Sequence, residues 1–275
     1  MSFPFSFIEF KKQTEQGISV KRLSYQILPN NLFILFIVFS FFSCHQKIKE
    51  VISNPIVKGY YADPSIVRHE GTYYIYATID PWGTDSLAVL SSTDFKNWKS
   101  DRLNWPTKAA CTGPTSSGNM VWAPSVMKAK NGKFYMYVSV GSEVWVGVSE
   151  HPQGPWKNAK EDNSPLIAAA TFPGYHMIDA EVFIDDNGEV YLYWGSGWNW
   201  TNGHCFVVRL SDDMVTFKGD PIDVTPPGFF EGPFMLKNKG KYYLMYSDGR
   251  CYNETYQVRY SIGDSPAGVC QMGTN

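Results

Sequence analysis

Four short segments of the chain share one pattern, a glycine followed by alternating aromatic and aliphatic residues. The glycines are Gly71, Gly132, Gly188 and Gly240, at intervals of 61, 56 and 52 residues. An apolar run precedes each glycine, so each unit predicts a strand, a tight turn and a second strand. Units of this kind, lengthened by loops, are typical of propeller blades. The repeat predicts an all-β propeller, and an all-β sandwich with coincidental glycine spacing is the alternative.

Composition agrees with a β-rich globular chain and excludes several classes of function. Of the 275 residues, 44% are hydrophobic, which is enough to bury a large core, and helical periodicity is nowhere sustained over ten residues. The formal net charge of −2 gives no basic footprint for nucleic acid. The five cysteines lack CxxC pairs and metal-like spacing, which argues against a zinc or redox site. Cys205, inside an apolar run, is predicted to be a small buried hydrophobe.

The N-terminal region carries a targeting pattern. A basic pair, Lys21 and Arg22, precedes an almost wholly apolar run at 32–43 that is too short to span a bilayer, which needs about 20 helical residues. This arrangement predicts a secretory signal, and the ending at 41–44 resembles a bacterial lipoprotein cleavage box in which Cys44 is lipidated. An ordinary signal peptide or a buried apolar strand is the alternative.

The targeting pattern also predicts how the chain is divided. Residues 1–44 are expected to be an N-terminal extension with the signal, 45–53 a tether, and 54–275 the propeller domain. The protein is then expected to cross the inner membrane and to be a periplasmic or outer-membrane-anchored lipoprotein. Its only membrane contact would be the lipid anchor.

Three acids stand before apolar runs, where a carboxylate is costly unless it is paired, hydrogen-bonded or used. They are Asp63, Asp179 and Glu231, and Trp122 holds the matching place in the second unit. Equivalent positions in radially arranged blades converge at one end of the central channel, so the overlay predicts one pocket containing all four side chains. In contrast, the Asp-Asp-Asn-Gly segment at 185–188 predicts an ordinary hairpin tip.

The motifs around these residues resemble those of glycoside hydrolase family 43. They are Ala-Asp-Pro-Ser-Ile at 62–66, Trp-Ala-Pro-Ser at 122–125, Ile-Asp-Ala-Glu-Val-Phe at 178–183 and Glu-Gly-Pro at 231–233. The resemblance extends from about residue 54 to 268 and implies a five-bladed β-propeller of the glycosidase type, with about four blades present in this chain. It implies inverting hydrolysis of xylose- or arabinose-containing plant cell-wall oligosaccharides, as a β-xylosidase or α-L-arabinofuranosidase. An endo-arabinanase or a non-catalytic carbohydrate-binding propeller is the alternative.

The resemblance also implies a role for each acid. Asp63 would be the general base that activates water, Glu231 the general acid, and Asp179 the residue that modulates the pKa of the acid and orients it. Inversion requires two carboxyl groups roughly 6.5–9.5 Å apart, with a water between base and sugar. The acid must also stay protonated near neutral pH, which apolar surroundings or a neighbouring anion achieve by raising its pKa.

Substrate contacts are expected from aromatic residues near the same end of the channel. Trp122 is the first candidate for stacking on a sugar ring. Trp82 and Trp198 follow predicted strands where pocket loops belong, and packing beneath a loop is an equal alternative for both. His176 and Arg250 are further candidates.

The remaining expectations concern cofactors and completeness. No cofactor and no metal are expected, because the histidine that usually accompanies a structural calcium in the family has no counterpart here. The chain is expected to act as a monomer on oligosaccharides. The loss of the blade pattern after residue 268 predicts truncation at the C-terminus, with an open ring and exposed strand edges.

Overall fold

Each glycine of the repeat closes a hairpin between the first two strands of a four-stranded antiparallel sheet. Gly71, Gly132, Gly188 and Gly240 all have φ between 78° and 85°, a region that glycine enters without steric cost. The computed structural model describes residues 52, 54–79, 85–113, 120–169, 171–197, 203–268 and 271–272.

The strands follow one another along the chain in groups of four. The first blade contains Ala62–His69 (β1), Thr72–Thr78 (β2), Ala88–Ser92 (β3) and Lys99–Arg102 (β4). The second contains Val121–Lys128 (β5), Phe134–Val140 (β6), Glu143–Ser149 (β7) and Lys157–Asn158 (β8). In the third region, Tyr175–His176 (β9) pairs with Ser196–Gly197 (β12) beside a blade of Glu181–Ile184 (β10), Val190–Trp194 (β11), Phe206–Leu210 (β13) and Ile222–Asp223 (β14). The fourth contains Glu231–Asn238 (β15), Lys241–Asp248 (β16), Gln257–Gly263 (β17) and Gln271–Met272 (β18).

The first strand of each sheet is the inner strand of a propeller. Strand β1 packs against β5, β5 against β10, and β10 against β15. Three apolar clusters fill the spaces between consecutive blades, and Val126, Val182 and Met235 contribute to them from the inner strands. The four sheets are therefore blades arranged as a propeller, which confirms the predicted fold and excludes the sandwich.

One side of the first blade is exposed. Ile66 on β1 holds the place that Val126, Val182 and Met235 hold on the later inner strands, yet it is 52% exposed whereas they are 5%, 1% and 3% exposed. Each of the three buried residues packs toward the preceding blade. Within the described residues, no blade covers the corresponding side of β1.

A tyrosine at the same place in three repeats bonds each blade to the next. The hydroxyls of Tyr76, Tyr137 and Tyr193 donate to the carbonyl oxygens of Pro152, Met214 and Pro266, at 2.7, 2.8 and 2.5 Å. All three tyrosine side chains are fully buried. A buried carbonyl needs a donor, so these bonds specify how neighbouring blades dock.

The fourth repeat has Met245 at the place of those tyrosines. The neighbouring Tyr246 instead donates to the carbonyl of Pro227, at 2.9 Å. The same repeat position therefore joins blades in the first three units, whereas in the fourth it holds a partly buried methionine.

Two further predictions concern residues outside the three acids, namely Cys205 and the turn at 185–188. Cys205 is fully buried among apolar residues, as predicted. The hairpin tip predicted at 185–188 is confirmed, since the N–H of Gly188 donates to the carbonyl of Asp185 at 2.7 Å between β10 and β11. The side chain of Asp185 has a further role, because the residue is only 8% exposed. Its carboxylate accepts hydrogen bonds from Lys237 at 2.7 Å and Tyr242 at 2.6 Å, so it fastens the third blade to the fourth.

The predicted signal, Cys44 and almost all of the tether lie outside the described residues. The described residues belong to one compact unit, Glu50–Asn275. In that part of the chain, no helix is both long and apolar enough to cross a membrane.

We predict that Tyr137→Phe destabilises the protein by about 1–3 kcal/mol, because it leaves the buried carbonyl of Met214 without its donor. Urea unfolding measures the effect. The matched control is Tyr73→Phe, since Tyr73 packs its ring edge-on against Phe95 and is not fully buried; it should change stability by less than about 0.5 kcal/mol. Equal effects of the two substitutions would contradict the assigned role of the inter-blade bond.

Candidate active site

A bulge at the head of the inner strands positions the predicted site. The registers of β1, β5 and β15 shift between Ala62 and Ser65, Trp122 and Ser125, and Glu231 and Phe234, with one extra residue in each inner strand. A proline at 64, 124 or 233 occupies each bulge. Proline donates no ladder hydrogen bond, so it is tolerated inside a strand at such places.

The residue before each of these prolines adopts the left-handed conformation. Asp63 and Ala123 have φ of 49° and Gly232 has φ of 65°. Asp179 has φ of 54° at the corresponding place before β10. This conformation costs most residues about 1–2 kcal/mol, whereas glycine and, to a lesser degree, aspartate adopt it readily.

The structure corrects the predicted overlay of the four candidate residues. Asp63 and Asp179 hold the left-handed position, whereas Trp122 and Glu231 come one residue earlier. The single matching position was wrong in this detail, because the overlay treated offsets of two and three residues before the apolar runs as one place. Its third run also began at Val182, one ladder position later than the other three runs. The site is thus built from two adjacent positions of one repeated bulge.

Asp63 receives a hydrogen bond at the mouth of the propeller. The hydroxyl of Thr78 donates to Asp63 Oδ2 at 2.7 Å, and the N–H of Ala123 in the second blade donates to Thr78 Oγ1 at 3.0 Å. Asp63 as a residue is exposed, but the protein around its carboxyl displaces enough water to raise its pKa, an effect that the donors from Thr78 and Ala123 oppose. Among the three acids, it is the one with the best access to solvent.

Asp179 joins the second, third and fourth blades. Its N–H donates to Ser139 Oγ at 2.9 Å, and its Oδ2 accepts from the N–H of Gly232 at 3.1 Å. Burial raises its pKa well above the ordinary value, and the charges of Glu231 and Asp63 raise it further. Asp179 therefore lies within electrostatic reach of both other acids.

Glu231 begins β15 and is partly buried. Burial raises its pKa to about 7, the charge of Asp63 adds to the rise, and a hydrogen bond from Tyr256 opposes it. Tyr256 Oη donates to Glu231 Oε1 at 3.1 Å. A carboxyl group with this pKa is protonated in about half of the molecules at neutral pH, so it can donate a proton there.

The structure thus brings all three predicted acids into one electrostatically coupled group. They cannot all carry charge cheaply at neutral pH, because each negative charge raises the pKa of its neighbours. Asp63, an exposed residue whose carboxylate accepts a hydrogen bond from Thr78, is the member best suited to be ionised. Burial favours a proton on Asp179, and Glu231, with a pKa of about 7, exchanges its proton near neutral pH. One ionised and one protonated carboxyl group provide a general base and a general acid.

Trp122 lies beside this group, as predicted. Its residue is next to Ala123, whose N–H begins the hydrogen-bond chain to Asp63. The indole N–H donates to the carbonyl of Gly141 at 3.2 Å, and the side chain is partly exposed. The next residue, Ser142, hydrogen-bonds Nδ1 of His176 at 2.8 Å. Trp122 and His176 therefore both border the turn between β6 and β7.

The remaining residues predicted to contact the substrate are Arg250, Trp82 and Trp198. Arg250 is exposed in the turn between β16 and β17, and its guanidinium donates to the hydroxyl of Tyr252 at 2.6 Å. Within the described residues it is thus engaged inside its own turn. Trp82 and Trp198 lie outside the described residues.

Sequence reasoning missed several polar residues of the site. Thr78 and Ser139 each lie seven residues after the glycine of their repeat, so the overlay contained the signal for them. Glu181, two residues after Asp179, has its pKa raised to about 8 by burial, and Ser125 donates to it at 2.7 Å. Tyr256 follows no repeat and lies in a turn, so no sequence signal indicated it.

A structural calcium was tested against the side chains present. The described residues contain no group of three or more histidine, cysteine, aspartate or glutamate side chains arranged to hold a metal ion. The described part of the chain therefore does not fit a calcium ion held by such a set of ligands.

Comparison with known proteins identifies the family. The sequence profile of Glycosyl hydrolases family 43 matches residues 52–273. The chain belongs to this family. The match confirms the resemblance seen in the four motifs, and it spans all four blades.

Relatives in family 43 include enzymes named for furanosides. The β-D-galactofuranosidase of Aspergillus niger is 35% identical over 230 residues, covering 78% of this chain and 64% of that protein. The arabinoxylan arabinofuranohydrolase of Bacillus subtilis is 29% identical over 231 residues, covering 70% and 44%. A solved α-L-arabinofuranosidase from Clostridium thermocellum is 28% identical with a TM-score of 0.62, covering 77% of this chain and 71% of that one. The chain spans less than two thirds of the length of these two curated relatives.

We predict that the stability of the protein falls as pH rises from about 5 to 8. The native state holds protons on its buried acids that the unfolded chain releases, so ionisation favours unfolding. For Glu231, a rise in pKa from 4.5 to about 7 corresponds to at most about 3 kcal/mol. Urea unfolding across this pH range measures the slope.

Glu231→Gln should remove part of that slope, because glutamine has no proton to release. The control Glu150→Gln changes an exposed acid that pairs with Lys133 on the rim, and it should leave the slope as it is. A slope in the Glu231→Gln protein as steep as in the wild type would refute the raised pKa.

Proposed function

We propose that this chain hydrolyses xylose- or arabinose-containing oligosaccharides with inversion, as a β-xylosidase or α-L-arabinofuranosidase. One observation carries the proposal: the carboxylate of Asp63, which accepts a hydrogen bond from Thr78, and the carboxyl group of Glu231, with a pKa of about 7, interact electrostatically at the heads of the first and fourth inner strands. Membership in family 43 supports the reaction class, and the names of the relatives support the sugars.

The reaction divides between two of the acids. Asp63 accepts a proton from a water molecule, whose oxygen bonds to the anomeric carbon from the face opposite the leaving group. Glu231 gives its proton to the glycosidic oxygen as the bond from that oxygen to the anomeric carbon breaks. The products are a sugar with inverted anomeric configuration and an alcohol. Asp63 ends protonated and Glu231 ionised, and exchange with solvent restores both.

Asp179 acts through Glu231 rather than on the sugar. The two carboxyl groups are coupled, and a charge on either one disfavours a charge on the other, so they do not both ionise cheaply near neutral pH. The hydrogen bond from Gly232 N–H also holds Asp179 next to the residue that follows Glu231. Two carboxyl groups complete both proton transfers, so the proposed reaction needs no cofactor. All three acids come from one chain, which supports a monomer as the acting unit.

Sugar contacts are assigned by position. Trp122 would stack on the sugar beside Asp63, since it is partly exposed and directly precedes Ala123, whose N–H begins the hydrogen-bond chain to that acid. Trp82 and Trp198 stay candidates for sugar contact from their places in the sequence. Arg250 would contact the sugar only after leaving the hydroxyl of Tyr252.

A second candidate substrate is a β-D-galactofuranoside. The observation that favours it is the 35% identity to the Aspergillus niger β-D-galactofuranosidase. Arabinofuranosides and galactofuranosides share a five-membered ring, so one pair of acids serves both. The pocket residues around the exocyclic carbon then decide between them.

We predict that Glu231→Gln lowers hydrolysis of aryl glycosides on the order of 10²–10⁴-fold, because it removes general-acid catalysis. The substrates are aryl β-xyloside, α-L-arabinofuranoside and β-D-galactofuranoside. Proton NMR of the first sugar anomer released tests inversion.

The control for this experiment is Glu150→Gln, an exposed change on the blade rim that should leave the rate as in the wild type. A Glu231→Gln rate equal to the wild-type rate would defeat the assigned acid. Sugar binding without release of product by the wild type would favour a non-catalytic binding propeller.

We also propose that the mature protein is a secreted lipoprotein anchored through Cys44. The support is the apolar run at 32–43 that ends in Phe-Phe-Ser-Cys. Cells expressing the full chain should incorporate radioactive palmitate, and Cys44→Ala should abolish the label. Cys205→Ser is the control, because that cysteine is buried in the blades. Labelling that persists in Cys44→Ala would exclude this anchor.

A further inference from the structure

Tyr256 is a polar residue of the site that belongs to none of the family motifs. It ends the turn at 249–256, directly before β17, and its hydroxyl donates to Glu231 Oε1 at 3.1 Å. The residue is 41% exposed. Its ring therefore borders solvent at the mouth while its hydroxyl lies against the acid, as amphipathic side chains often do.

The surroundings of Tyr256 fix its hydrogen-bonding role. Burial and the charge of Glu231 raise its pKa, so the phenol remains protonated and acts as a donor. The hydroxyl of Ser247, the ladder partner of Glu231, also hydrogen-bonds to it. The contact between Tyr256 and Glu231 thus spans the first two strands of the blade and the turn that follows them.

Three other titratable groups interact with this pair. The charge of Asp63 on β1 raises the pKa of Glu231, and Asp179 before β10 is a buried carboxyl group whose own pKa is raised by burial and by both of these acids. Cys251, an exposed thiol in the same turn as Tyr256, interacts electrostatically with Glu231 and Asp63. None of these groups offers Glu231 a cation. In the described surroundings, the Tyr256 hydroxyl is the side-chain donor hydrogen-bonded to its carboxyl group.

We propose that Tyr256 is a positioning residue for the general acid, holding Glu231 Oε1 so that Oε2 carries the proton to the glycosidic oxygen. This inference rests on the proposed function of Glu231. When the proton leaves, the charge that develops on the carboxylate is met by a donor already in place. Such a preplaced donor favours proton transfer because no group has to reorganise during the step.

Tyr256→Phe tests this role, because it keeps the ring and removes only the hydroxyl. A donor to the carboxylate favours the ionised form, so its loss should raise the pKa of Glu231 by about one unit. NMR titration of protein labelled with ¹³C at the glutamate carboxyl groups measures that pKa directly. The Glu231 resonance is assigned by its absence in Glu231→Gln.

The same variant is then assayed on an aryl glycoside between pH 5 and 10. The alkaline limb of kcat/KM should move to higher pH by about one unit, since activity needs protonated Glu231. Loss of orientation should lower kcat roughly tenfold while KM changes little. The matched control is Tyr243→Phe, at the opposite end of β16, which should alter neither the titration nor the pH profile.

The two measurements separate the possible failures. An unchanged Glu231 pKa in Tyr256→Phe, or a shift equal to that in Tyr243→Phe, overturns the positioning role. A raised pKa with an unmoved alkaline limb also overturns it, because the hydrogen bond would then not act on the reaction. Hydrolysis that survives Glu231→Gln instead refutes the proposed function, and the NMR titration still shows whether Tyr256 holds the carboxyl group.

Discussion

A left-handed residue at or just before the head of each inner strand is the constraint on which the mouth of the propeller depends. It turns the backbone N–H of one blade toward the preceding blade. Ala123 thereby bonds Thr78, Asp179 bonds Ser139, and Gly232 bonds the carboxylate of Asp179. The same turn of the chain thus joins the blades and places the acids.

The third repeat departs from this scheme in a way that matters for the chemistry. Thr78 and Ser139 supply hydroxyls seven residues after their glycines, but the third repeat has Gly195 at that place. The N–H of Gly232 then bonds the carboxylate of Asp179 in place of a hydroxyl. The backbone N–H that joins the fourth blade to the third is therefore also a hydrogen-bond donor to one of the three acids. The docking of the fourth blade is thus linked to the charge near Glu231.

The architecture and the three acids followed from the sequence because both repeat. A glycine with regular aromatic and aliphatic spacing predicted each hairpin, and motifs in register placed Asp63, Asp179 and Glu231 together. The bulge was not predicted, although the prolines at 64, 124 and 233 inside apparent strands indicate it. Tyr256 could not be predicted, because its position depends on the path of one turn. The structure also shows that the carboxylate of Asp185 joins the third blade to the fourth through hydrogen bonds, which a turn motif does not indicate.

The backbone angles of Asp63 and Asp179 make these two positions suitable for substitution by asparagine. Asparagine populates the left-handed region as aspartate does, so a swap to the amide removes an ionisable carboxyl group without forcing the chain into a new shape. In the reaction proposed above, Asp63→Asn would keep the blades and lose the base that activates water. Such a variant would hold a bound oligosaccharide uncleaved, so that its position in the site could be seen.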